Sequence, residues 1–276
     1  TQSRSSAASD VYKRQVYVRG NLSINPAPLT IRVVDDAKLV TTADSAAYSG
    51  VIASGFKNGE TLANLGGALV INRSNASIQS VGSYAGVLNA SGFSSSNYAI
   101  TYIPANFDIL PAETLLVKMG NGYTTYGNAS AYSPVASYLT ANNTLIASSN
   151  VSSGLTVTTN GNQVQVSDGA GGQYSFVASP IGGQLSSSGA LKAGSYLLGA
   201  ESPVITGSSF TSAYVVGAAT VLPKALAVGV DFTITPITKV YDGNTSIVSA
   251  GSAVVRTAAS NIRASDMIQV ASSGSY

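Results

Sequence analysis

The chain of 276 residues has no histidine, no cysteine and no tryptophan. Without imidazole or thiol there is no Ser/His or Cys/His nucleophile pair, no thiolate zinc site and no imidazole metal ligand. A disulfide framework is likewise excluded, so any fold must rest on its own packed cores. Charge is scarce as well: Asp, Glu, Lys and Arg make up 9% of the chain, less than half of the usual quarter. Hydrophobic residues still reach 45%, enough to build cores and too many for a disordered tract. No run of 18 apolar residues occurs, so no membrane-spanning helix is expected. Solubility must come from Ser, Thr, Asn and Gly.

The small positive balance is local. Residues 1–15 hold Arg4, Lys13 and Arg14 against Asp10, and Ser-Ser-Ala-Ala-Ser-Asp-Val-Tyr-Lys-Arg-Gln resembles a translated sequencing-adaptor tail, so 1–15 is set apart from the fold. The remainder has 11 basic and 11 acidic residues with no basic cluster. That leaves no electrostatic footprint for nucleic acid or for an anionic membrane.

What is present is repetition. Gly-Ser-Tyr occurs at Gly82 to Tyr84, Gly194 to Tyr196 and Gly274 to Tyr276, and 27 residues separate Tyr84 from Pro111 and Tyr196 from Pro223. A fixed internal ruler of this kind marks duplicated modules. Units are therefore expected at 28–110, 111–222 and 223–276, with 16–27 as the last strand of a preceding unit. The distance from opening proline to Gly-Ser-Tyr tyrosine is 56, 85 and 53 residues, which puts 29 extra residues in the second unit. They are expected within 155–183, as an added strand pair turning at Asn160-Gly161 through a type I′ turn. The third unit stops about 27 residues short of completion by the same ruler, so the chain is expected to be a fragment.

Leu29-Thr-Ile-Arg-Val, Tyr98-Ala-Ile-Thr-Tyr-Ile and Val228-Gly-Val-Asp-Phe-Thr-Ile alternate with period 2, the pattern of half-buried strands. One helical turn or two are expected near Asn58 to Gly66, with Asn58 as cap. The fold class is mainly β: an elongated array of small β-rich modules, either β-grasp-like or immunoglobulin-like sandwiches.

Candidate chemistry is thin. Ser54-Gly-Phe-Lys57 has Ser-x-x-Lys spacing but precedes an Asn-Gly turn and lacks companion motifs. Asp35, Asp36, Asp44, Asp242 and Asn244 offer oxygen ligands, yet no loop places three acids at alternate positions as calcium requires. No metal and no cofactor is expected. The Gly-Ser-Tyr positions, Gly82 with Tyr84 and Gly194 with Tyr196, read as core anchors whose hydroxyls find backbone partners. Tyr123, Tyr126, Tyr132 and Tyr138 form a looser group, the first place to expect a bound sugar or protein surface.

At Lys239-Val-Tyr-Asp-Gly-Asn-Thr245 the chain resembles the Tyr-Asp-Gly repeat of large bacterial adhesins of the filamentous haemagglutinin type, carried by Tyr241, Asp242 and Gly243. Ser54-Gly-Phe-Lys-Asn-Gly-Glu60, Val81-Gly-Ser-Tyr84 and Ser96-Asn-Tyr-Ala-Ile-Thr-Tyr102 make the first unit similar to the companion MBG repeat. The second unit resembles it with Tyr126-Gly127 at its start and departs from it in its insertion. The resemblance implies a secreted or cell-surface protein, exported through an outer-membrane partner, whose repeats form non-enzymatic stalks. The alternative is an adhesive module whose inserted hairpin engages a glycan or a host surface protein.

Overall fold

The computed structural model describes residues 23–207 and 209–225, with the backbone of two short paired strands, Phe232–Ile234 and Ala253–Val255. The tail at 1–15, residues 16–22 of the strand expected at 16–27, and Tyr241, Asp242, Gly243 and Asn244 lie outside the described residues.

Alternation becomes strand at Leu29 to Val33 and Tyr98 to Ile103, as expected, while residues 228–231 of the third alternating stretch lie outside the described residues. In β1 (Ala27–Val33) Leu29, Ile31 and Val33 point inward and are at most 1% exposed. The first module continues with β2 (Asp36–Leu39), β3 (Val51–Ser54), β4 (Gly66–Arg73), β5 (Gly82–Ser94), β6 (Tyr98–Ile103) and β7 (Ala105–Leu110). β1 pairs antiparallel with β3 and parallel with β6, while β2 pairs parallel with β7, which joins β5 and then β4. The offset between partners is 71 residues both in β1 with β6 and in β2 with β7, so the two ladders are one register with a gap. Pro104 lies in that gap and has no N–H to give. The Asp35 carboxylate spans it instead, accepting the Asn106 N–H at 2.9 Å.

The second module repeats this pairing. β8 (Thr114–Thr125) lies between β9 (Val135–Leu139), antiparallel, and β15 (Ser212–Leu222), parallel. β15 pairs with β14 (Gly194–Thr206) and β14 with β13 (Gln173–Pro180). Three further strands extend the sheet to eight. β10 (Leu145–Ala147) is added beside β9, and the hairpin of β11 (Thr156–Asn160) and β12 (Gln163–Ser167) beside β13. The window 155–183 therefore contains the extra hairpin and also β13, which pairs with β14 as β4 pairs with β5.

Both modules place a parallel first and last strand at the centre. That separates them from an immunoglobulin sandwich, whose two sheets are antiparallel. The helical segment shrinks to a single 3₁₀ turn, Leu62–Asn64. Its cap is Thr61, which accepts the Ala63 N–H at 3.3 Å while the Asn64 side chain accepts the Thr61 N–H at 2.8 Å. Asn58 does not cap; it sits at φ +53° in the turn before. In the inserted hairpin Asn160 pairs with Gln163, so the turn residues are Gly161 and Asn162, one position later than expected. Only Gly161 has positive φ, +59°, the pattern of a type II′ turn rather than type I′.

Each module has its own core. Leu29, Ile31, Leu88, Phe107 and Ile109 anchor the first, and Leu115, Val117, Met119, Val164, Val166 and Phe176 the second. Beneath the loop after β2, Asp44 takes ion pairs from Lys38 at 2.9 Å and Arg73 at 2.8 Å. The Arg73 guanidinium also lies over the Phe107 ring, 4.6 Å from its centroid. Lys38 and Arg73 are both almost fully buried. Burial alone raises the Asp44 carboxyl, but hydrogen bonds and charge from Lys38 and Arg73 outweigh it and hold it below its ordinary value.

The two described Gly-Ser-Tyr motifs share one geometry. Tyr84 donates to the Ser80 carbonyl at 2.8 Å and Tyr196 to the Lys192 carbonyl at 2.9 Å, four residues upstream in each case. The ring folds back over the motif glycine. A Cβ at Gly82 or Gly194 would come within 3.3 or 3.0 Å of the tyrosine hydroxyl oxygen.

Gly194→Ala should cost the second module about 1–3 kcal/mol by overpacking and Tyr196→Phe about 1 kcal/mol by loss of one hydrogen bond. Denaturant titration measures both, and an unchanged midpoint in Gly194→Ala would refute the steric role. Asp44→Ala leaves two buried cations without a counter-charge and should cost about 3–5 kcal/mol. Because the folded-state pKa of Asp44 is depressed, its contribution is complete above the ordinary value of 3.8 and is lost as pH falls through the lower folded value. Wild type should accordingly lose more stability than Asp44→Ala on acidification below pH about 4.

Candidate functional site

β2 is buried at all four positions, Asp36 to Leu39. A strand with only one face on a core would alternate; this one also faces the second module. Ala37, Leu39 and Leu110 pack there against Leu116, Leu139 and Val216. The first half of β8, Thr114 to Met119, is covered on both sides for the same reason. Leu115, Val117 and Met119 face their own core, whereas Leu116 packs in the joint and Lys118 reaches across it.

The joint carries polar pins. Asp36, fully buried, pairs with Lys118 Nζ at 2.7 Å, and the same oxygen accepts the Ala37 N–H at 2.7 Å. Asp108 accepts hydroxyl hydrogen bonds from Ser83 of its own module and from Tyr214 of the second. Burial, reinforced by the neighbouring Asp108, pushes the Tyr214 phenol well above its ordinary value. The middle residue of the second Gly-Ser-Tyr, Ser195, donates to the Ala53 carbonyl at 3.3 Å. Only Pro111, Ala112 and Glu113 connect the modules, and Glu113 is fastened on both sides: its N–H donates to Leu139 and its carbonyl accepts from Thr211, each at 2.8 Å. Sequence reasoning marked Pro111 but missed this joint. Its signal is the loss of alternation in Thr114-Leu-Leu-Val-Lys-Met119, the run expected of a strand buried on both faces.

The four tyrosines of the second module do not form one surface. Tyr132 is buried beside Gly122, where an added Cβ would come within 3.0 Å of the ring. Tyr138 is buried edge-on to Phe210 at 5.6 Å, and burial raises its hydroxyl, the charge of Asp168 adding to the shift. The Tyr126 hydroxyl hydrogen-bonds Ser186 at 2.7 Å and Ser188 at 3.1 Å. Tyr123 alone is broadly exposed, at 60%. Spacing in the sequence carries no sign of which of these rings turns inward.

Of the carboxylates weighed as oxygen ligands, the three among the described residues are committed elsewhere: Asp35 to Asn106 N–H, Asp36 to Lys118, Asp44 to Lys38 and Arg73. Among the described residues no three acidic side chains gather to hold a metal ion. Ser54 closes β3, and Lys57, in the following loop, gives its backbone N–H to Tyr98 Oη at 3.0 Å. No described helix is long and apolar enough to cross a membrane.

A second region lies on the outer face of the inserted hairpin. A groove of about 540 Å³ is lined by Thr158, Asn160, Gln163, Gln165, Ser175 and Ser202, among others. The register between β13 and β14 shifts at this point, and Ser202 adopts φ +50°. The opposite faces of β12 and β13 present Val164, Val166, Tyr174 and Phe176 to the core. The hairpin is therefore structural on one face and hydroxyl- and amide-rich on the other.

No curated protein and no solved structure matches the chain. Residues 29–108, the span from β1 to β7, match the family model of the MBG domain (YGX type).

Proposed function

We propose that this chain is a non-enzymatic stalk segment of a bacterial secreted or cell-surface adhesin, exported through an outer-membrane partner. The observation that carries the proposal is the central parallel pair in each module. Parallel first and last strands place the start and the end of a module at opposite ends of one ladder. Tension applied through the chain pulls β8 and β15 past each other in shear, so that their hydrogen bonds resist together rather than opening one by one. The ladder runs from Ser212 with Thr114 to Leu222 with Thr125. The pinned three-residue connection then passes the tension on without a loose hinge. The absence of histidine and cysteine and the MBG match at 29–108 support the same assignment.

The hydroxyl- and amide-rich groove favours a second reading, in which the second module also binds a glycan or a host protein through its inserted hairpin.

Pulling single molecules of the full chain from its ends tests the stalk. Force peaks typical of strand shear are expected; a gradual unzipping at low force would refute it. The joint is tested by Lys118→Met, which strands the buried Asp36 charge. A loss of about 2 kcal/mol is expected, below the ~3–5 kcal/mol of a fully buried pair because Lys118 keeps some contact with water. Calorimetry should show the two modules melting with less coupling than in the wild type.

A further inference from the structure

We infer that the groove on the outer face of β11 to β14 is a binding site for a neutral oligosaccharide, an assignment that rests on the adhesive reading above. Its lining is made by two-residue alternation. Thr158 faces Gln165, which faces Ser175, in one row across the strands, and Asn160 faces Gln163 in the next. The first row presents hydroxyl and amide groups, and the second two amides before it runs on to Val177, all at the spacing of neighbouring strands, about 4.8 Å. The bulge on β14 brings Ser202 to the rim.

Two properties select the ligand class. First, no ionisable side chain lines the groove. A phosphate, sulfate or sialic acid would find no counter-charge, and Glu201, which continues the Asn160–Gln163 row beyond Val177, would repel it. Second, the polar capacity is unspent: among the described residues the side chains of Asn160, Gln163, Ser175 and Ser202 make no hydrogen bond, and Gln165 has only a long one to Gln173 at 3.4 Å. Amides and hydroxyls act as donors and acceptors at once, which suits a ligand whose every hydroxyl is both. The only ring in the lining, Phe176, is buried on the core side, so recognition proceeds by hydrogen bonds without stacking. Single-site affinity is then weak, and useful retention comes from many copies acting together.

The full chain is applied to an array of neutral, sialylated and sulfated oligosaccharides, and a neutral hit is titrated by NMR. Shifts of the Gln163 and Gln165 side-chain amide signals are expected. The double variant Gln163→Ala/Gln165→Ala, altered only on the solvent face, should retain the wild-type fold by circular dichroism and bind about tenfold or more weakly. Binding of anionic glycans alone overturns the proposal. Neutral binding that survives in the double variant but is lost in Tyr123→Ala overturns the groove while leaving the adhesive reading intact. No glycan bound by the wild type overturns the groove assignment and leaves, of the adhesive reading, only a host-protein ligand.

Discussion

A parallel pair of strands at the centre of a small antiparallel sheet governs the rest of this molecule. It forces the chain to cross from one edge of the sheet to the other between β3 and β4, because β1 with β6 and β2 with β7 must be neighbours when the module closes. The first module crosses with one 3₁₀ turn capped by Thr61. The second uses the same crossing to accommodate β10, β11 and β12. The insertion therefore costs the module nothing at its centre. It lengthens a connection that the topology already required, and its Val164 and Val166 enlarge the core that they cover.

The same topology explains why the joint is tight. Since the last strand leaves where its ladder ends, the next module begins against that end, separated by three residues. Ala37, Leu39 and Leu110 would be an apolar patch on an isolated module; Leu116, Leu139 and Val216 cover it. Burying Asp36 there carries a desolvation cost, which Lys118 offsets only when the modules are docked in one orientation. Asp108, held between Ser83 and Tyr214, adds a directional contact of the same kind. Apolar packing supplies the attraction and these polar contacts fix the angle.

Much of this was legible in the sequence, and the failures have local causes. Leu29-Thr-Ile-Arg-Val gave a strand because one face of β1 meets solvent and the other a core, and that contrast is what period 2 records. Asp36-Ala-Lys-Leu gave no such contrast, since both faces of β2 are covered, and the cover comes from Leu116, Leu139 and Val216, far along the chain in the second module. The hairpin was found but its turn slipped by one residue, because Asn-Gly and Gly-Asn both suit a two-residue turn and register decides between them. Asn58 was a reasonable cap by composition, yet Thr61 has Asn64 three residues on to complete the reciprocal bond. The tyrosines misled most. Tyr126, Tyr132 and Tyr138 resemble a patch along the chain, but Gly122 makes room for the Tyr132 ring to turn inward and Phe210 receives Tyr138.

The placement of charge has a further consequence. Every ion pair among the described residues joins side chains at least partly withdrawn from water: Lys38 and Arg73 with Asp44, and Lys118 with Asp36. Dissolved salt weakens attraction between exposed charges, with a screening length that shortens from about 8 Å at physiological ionic strength to about 3 Å at 1 M, but acts much less on pairs out of its reach. A surface kept soluble by hydroxyls and amides has little else for salt to screen. The packing of the two described modules is therefore expected to hold from fresh water to brine, a tolerance that the usual dense coat of surface charges does not give.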